Sequence, residues 1–105
     1  MIAMNSKMES TRIRLAKLLD GHPTTSGMSV RVHGDHLILA RLETLPPATR
    51  PEDDDRVRIT RLKDRTYGLS VKRHTGRWQK TPFVGSLDEM VSTIQTFMQH
   101  LVASY

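Results

Sequence analysis

Arg56-Val57-Arg58-Ile59-Thr60-Arg61-Leu62, the turn Lys63-Asp64-Arg65 and the return Tyr67-Gly68-Leu69-Ser70-Val71-Lys72 decide how this chain folds. Val57 and Ile59 fall on one side of the first stretch, with Arg56, Arg58 and Thr60 on the other. Tyr67, Leu69 and Val71 line the inner side of the second, and Gly68, Ser70 and Lys72 its outer side. Successive side chains of a strand point to opposite faces, so this period of two predicts an antiparallel hairpin that is apolar within and cationic without.

Working outward, His74-Thr75-Gly76 closes a second hairpin, with glycine available for a positive φ, and Arg77 to Val84 is a further extended run. Pro82 cannot donate to a ladder, so that run is an edge strand or contains a bulge. Ser86-Leu87-Asp88-Glu89 has the form of a capping box. Apolar residues follow it at intervals of three and four as far as Val102, which predicts one helix of about four to five turns.

Upstream, residues 28–33 alternate, with Met28, Val30 and Val32 on one side. Gly34-Asp35 fits a two-residue turn, and Leu37 to Leu42 is apolar on both faces, as a central strand is. Ser6-Lys7-Met8-Glu9 is a second capping-box pattern, predicting a helix that starts at Ser6, carries Met8, Leu15, Leu18 and Leu19 inward and stops at Gly21. From Glu43 the pattern collapses into Pro46, Pro47, Pro51 and the run Glu52 to Asp55. Residues 44–55 therefore read as a mobile, Pro-rich acidic loop, a solvated charge run and not a metal site. The expected fold is a single α+β domain over residues 1–105. It has an N-terminal helix, a curved antiparallel sheet of four to five strands, and a long C-terminal helix packed on the sheet.

At 105 residues with a net charge of +5, the chain has room for one modest core, which a partner subunit could extend. With no cysteine it has neither disulfide framework nor thiolate site. No apolar run reaches the roughly 18 residues of a membrane span, and Met1 to Met4 falls short of a signal-peptide core. The expected setting is cytoplasmic, without membrane association.

Enzymatic constellations are missing from the pattern. His22, His33, His36, His74 and His100 are scattered. The hairpin sets His33 opposite His36, yet two imidazoles without a third ligand make a weak zinc site. No catalytic residue, metal or cofactor is expected. The charge distribution says more: residues 56–80 hold nine Lys and Arg against the single Asp64. A cationic sheet bearing an aromatic suits unpaired nucleic acid. Each phosphate contact releases a counterion, and stacking on a ring contributes about 1 to 3 kcal/mol per base. A solvated basic face with Trp78 in the core is the competing reading.

The order Arg56 to Leu62, the Lys63-Asp64-Arg65 turn, Tyr67 to Arg73, the Gly76 turn, Trp78-Gln79-Lys80-Thr81-Pro82, then Gly85-Ser86-Leu87 entering an amphipathic helix resembles the transcriptional coactivators of the positive cofactor four type. The resemblance covers the second half of the chain, and the N-terminal helix and the strand at 28–33 lie outside that family's core. It implies a curved sheet followed by one helix, a homodimer, and binding of single-stranded DNA in a transcription-related role; the expected function is binding of single-stranded nucleic acid, DNA or RNA, without strong sequence preference. Carried across by position, the nucleic-acid contacts are Arg56, Arg58, Arg61, Lys63, Arg65, Lys72, Arg73 and Lys80, and the basic surface read from the charge pattern adds Arg77 and Trp78. Met90, Ile94, Phe97, Met98 and Leu101 form a stripe available to the sheet and to a twin helix. The alternative is a protein–protein interaction module that docks a partner through the helix stripe and the acidic loop.

Overall fold

Alternation sends Leu37, Leu39, Val57, Ile59 and Leu69 to one face of a sheet, and the helices lie on that face. The computed structural model describes residues 3–44 and 50–103, with side chains from Lys7 onward. An 18-residue helix α1 (Ala3–Asp20) precedes strands β1 (Ser29–His33), β2 (His36–Glu43), β3 (Glu52–Arg61), β4 (Tyr67–Lys72) and β5 (Trp78–Gly85). Helices α2 (Leu87–Phe97) and α3 (Gln99–Val102) follow. The five strands pair antiparallel in chain order, giving an α+β fold with a curved meander sheet. Leu15 and Leu19 of α1 and Ile94 of α2 are fully buried against the sheet.

Several expectations hold locally. His33 faces His36 across the Gly34-Asp35 turn, and β2 lies between β1 and β3. Gly76 takes φ +87° in the β4–β5 turn, a backbone conformation that costs a residue with a Cβ. The Ser86 hydroxyl accepts from Glu89 N at 3.1 Å and the Glu89 carboxylate accepts from Ser86 N at 2.8 Å, completing the predicted box. A Cβ at Gly85 would stand 2.6 Å from Glu89 Oε1, so a larger residue there would displace the carboxylate from its place in the box.

Three expectations are corrected. Helix α1 starts at Ala3, so Ser6 lies inside it, and the Glu9 carboxylate pairs with Arg12 one turn on. Glu52 to Asp55 are not loop: they pair with Ala40 to Glu43 as the first part of β3. The centre of the expected loop, residues 45–49 with Pro46 and Pro47, lies outside the described residues, as do Met1 and Ile2 of the apolar start. The long C-terminal helix is two pieces, because Met98 leaves helical geometry at φ −120°, ψ 26°. The break brings Met98 and Val102 into the core and turns the last carbonyls toward two arginines.

Those arginines close the far end of the sheet. Arg41 donates to Val102 O at 2.7 Å, Ser26 O at 2.6 Å and Thr24 O at 2.9 Å, tying β2 to α3 and to the α1–β1 connection. Arg56, only 7% exposed, donates to Leu101 O at 3.0 Å, Ala103 O at 2.7 Å and the Asp54 carboxylate at 2.8 Å, with Glu43 at 3.7 Å. Truncating one partner of a buried charge network strands the others, at a cost of about 3–5 kcal/mol. Arg56→Ala is therefore expected to lower the urea-unfolding free energy by about 3–5 kcal/mol. Ser86→Ala should lower it by about 1 kcal/mol through loss of the cap, while the exposed Arg77→Ala should stay within about 0.5 kcal/mol of the parent.

Candidate functional site

The helices cover one face of the sheet, and among the described residues the other is overlaid by its own side chains. Strands β1 to β5 send Arg31, His33, His36, Ile38, Arg58, Thr60, Ser70, Lys72, Trp78 and Lys80 to this open face, as the cross-strand pairs show. The faces of β3 are fixed by a bulge. Leu39 pairs with Val57 and Ala40 with Asp55, so Arg56 is the extra residue of a β-bulge. Without it, Asp53 and Asp55 would share the core side with Val57 and Ile59. With it, both acids turn to the open face and Arg56 turns to the helices.

The acids reorganise the charge there. Asp55 receives both guanidinium nitrogens of Arg31 at 2.8 Å, a bidentate pair reaching across β2, and Asp53 stands 3.5 Å from the same guanidinium. Lys72 Nζ lies 3.8 Å from Asp55. This bridge spans β2 and accounts for the burial of Ile38 and Ala40 on a face with no helix above it. Arg58 and Lys80 have no carboxylate partner among the described residues. Arg58 instead extends past Ser70, burying it, to place its guanidinium carbon 5.0 Å from the Trp78 ring centroid. Lys72 Nζ is 5.7 Å from the same ring. A cation within about 6 Å of an indole centroid is attracted to the ring's negative face. Trp78 is thus half-buried on the open face and not in the core.

Of the ten expected contact residues, the sheet brings four together: Arg58, Lys72, Trp78 and Lys80. Arg56 is corrected, since it belongs to the clamp on α3. Arg61 shares the parity of Val57 and Ile59, and with Arg65 it lines a cleft against Lys7 and Thr11 of α1, on the helix side. Arg73 lines a separate cleft with His100 and Leu101, while Lys63 and Arg77 sit exposed in turns. The helix stripe is used within the chain: Met90, Ile94 and Met98 are buried in the core and Leu101 is half-buried, leaving Phe97 at 68% exposure. Two residues that matter were not singled out in the sequence. Arg41 sits at an inward position after Leu37 and Leu39, where a charge is a detectable anomaly. Arg31 alternates outward, but its partner Asp55 is hidden by the loop-like composition of 52–55.

His33 and His36 stack with ring centroids 6.5 Å apart, and His36 Nδ1 is 2.8 Å from the Thr60 hydroxyl. Among the described residues no three His, Asp or Glu converge as a metal site would require. No helix among them is long and apolar enough to cross a membrane. No protein-family model, curated protein or solved structure matches the chain.

Hydrogen bonds from Arg31, with the charges of Arg31 and Lys72, hold the Asp55 carboxyl below its usual range despite partial burial. Burial first, then the charges of Arg58 and His33, push the His36 imidazole below its usual value, with Asp35 opposing. A lowered folded pKa means that the unfolded chain takes up protons first, so both groups stabilise the fold above their unfolded values of about 6.5 and 3.9 and lose that contribution as pH falls. The urea midpoint should therefore decline as pH drops below about 6.5 and decline further below about 4. His36→Gln should remove the upper part of that decline and Asp55→Asn should reduce the lower part, to which the lowered Glu9 and Glu89 carboxyls also contribute.

Proposed function

We propose that this chain binds single-stranded nucleic acid, without catalysis and without strong sequence preference, on the open face of its sheet. One observation carries the reading: an indole on an uncovered sheet face, held beneath Arg58 and Lys72 and followed two residues on by Lys80. A base stacks on an aromatic of this kind whatever its identity, and the surrounding cations meet the phosphates. The resemblance to the positive cofactor four type coactivators points to the same class of ligand, with a smaller set of contacts. Less supports the protein-docking alternative. Its helix stripe is taken up by the core except for Phe97, and Asp53, Asp54 and Asp55 are engaged by Arg31 and Arg56.

The measurement is fluorescence anisotropy of a labelled oligothymidylate across a salt series. Three phosphate contacts on a single strand give a log–log slope near −2, at about −0.7 per contact. Trp78→Ala should weaken binding by about 1 to 3 kcal/mol, the worth of one stacked base. The double variant Arg58→Ala, Lys80→Ala should flatten the slope, while Arg65→Ala on the helix side leaves affinity unchanged. Affinity that is indifferent to salt, or that survives the double variant, refutes the reading.

A further inference from the structure

We infer that the cleft between β3, β4 and β5 on the open face is a seat for one mononucleotide unit, its phosphate on Arg58 and Lys80 and its base on Leu62 and Val84. The inference rests on the nucleic-acid reading and names where one nucleotide is held. The cleft has a volume of about 290 Å³ and is lined by these four side chains together with Thr60 and Gly68. Its origin lies in the backbone. Ser70 pairs with Lys80 and Gly68 with Val84, so Leu69 alone on β4 faces Thr81, Pro82 and Phe83 on β5. The surplus breaks the register of β5 on β4, and Gly68 adds no side chain to fill the space beside it.

Charge selects the occupant. Arg31 and Lys72 share Asp55, whereas the two open-face cations without a carboxylate, Arg58 and Lys80, are the two that line this cleft. Arg58 Nε is buried with no hydrogen-bond acceptor among the described residues. The guanidinium thus has hydrogen-bonding capacity that no acceptor among those residues uses, and an anionic oxygen in the cleft would meet it in a charge-assisted hydrogen bond through its terminal nitrogens. His36, on the same wall, is held toward its neutral form in part by the Arg58 charge, which marks the positive potential an anion would meet. The opposite wall is apolar and exposed: Leu62 is 48% and Val84 58% accessible. Inorganic phosphate would use the cationic wall and leave those side chains in water. A flat heterocycle carrying a phosphate uses both walls.

Trp78 is the only tryptophan in the chain, so its fluorescence reports beside the cleft without a label. Thymidine monophosphate, thymidine and inorganic phosphate are titrated separately, with oligothymidylate in parallel. The expected result is saturable quenching by the monophosphate, at least about tenfold tighter than by either fragment, with Lys80→Gln weakening it by about tenfold through loss of a charged contact. Val84→Ser should weaken the monophosphate and leave inorganic phosphate unchanged. Circular dichroism checks that both variants remain folded, each replacing an exposed side chain. Inorganic phosphate binding as tightly as the monophosphate overturns the seat in favour of a bare anion site. Oligothymidylate binding without the monophosphate overturns the seat and leaves the nucleic-acid reading standing. The monophosphate binding without oligothymidylate upholds the seat and overturns that reading, and no binding of either overturns both.

Discussion

The bulge at Arg56 sets two residues of β3 against one of β2, and both faces of the sheet depend on that mismatch. A strand with strict alternation would bring Asp53 and Asp55 under the helices beside Val57 and Ile59, where two unpaired carboxylates would cost several kcal/mol each. The extra residue shifts the parity at one point. Below it the acids face outward, above it Val57 and Ile59 stay in the core, and the bulged residue turns in a third direction, toward α3. Bulges re-aim side chains in this way at sheet edges and next to sites.

That third direction leads to the end of the chain. Arg56 and Arg41 together bond to carbonyls of Leu101, Val102 and Ala103, groups that a helix C-terminus leaves without internal partners. The same guanidinium of Arg41 bonds to Thr24 and Ser26, so one side chain joins the connection after α1, the centre of the sheet and the last helix. Cations are also favoured at the negative end of a helix dipole. The break at Met98 fits this arrangement, because a straight continuation of α2 would not turn its final carbonyls down onto β2 and β3.

On the open face the covering layer is made of long polar side chains. The Arg31–Asp55 bridge lies over Ile38 and Ala40, and Arg58 with Trp78 lies over Ser70. Arginine suits both tasks, because its planar fork matches a carboxylate and its flat face stacks on an indole. The result is an uneven electrostatic surface. The β1 side is neutralised by Asp53 and Asp55, and the positive charge that remains is concentrated near β5 around Trp78.

Much of the fold was legible in the sequence because it rests on local rules. Period-two alternation located β1, β4 and the later half of β3, an apolar run after the Gly34-Asp35 turn located β2, and the extended run after the Gly76 turn located β5. The Ser86–Glu89 box set the start of α2, and Pro82 marked an irregular edge strand. The site was legible only as a basic hairpin region. Nine cations over residues 56–80 follow from composition, but parity assigned Arg56 to the wrong face, and only Arg58, Lys72, Trp78 and Lys80 converge. What the sequence by itself determined is the order of the elements, the strands' apolar face and the cap of the last long helix, since each depends on residues within a turn or two of one another. What only the tertiary structure decided is the bulge, the clamp of Arg41 and Arg56 on the final carbonyls, and the neutralisation of Arg31 by Asp55. Those depend on partners 15 to 61 residues apart in the chain, which pairing with β2, pairing across it or packing onto it brings together.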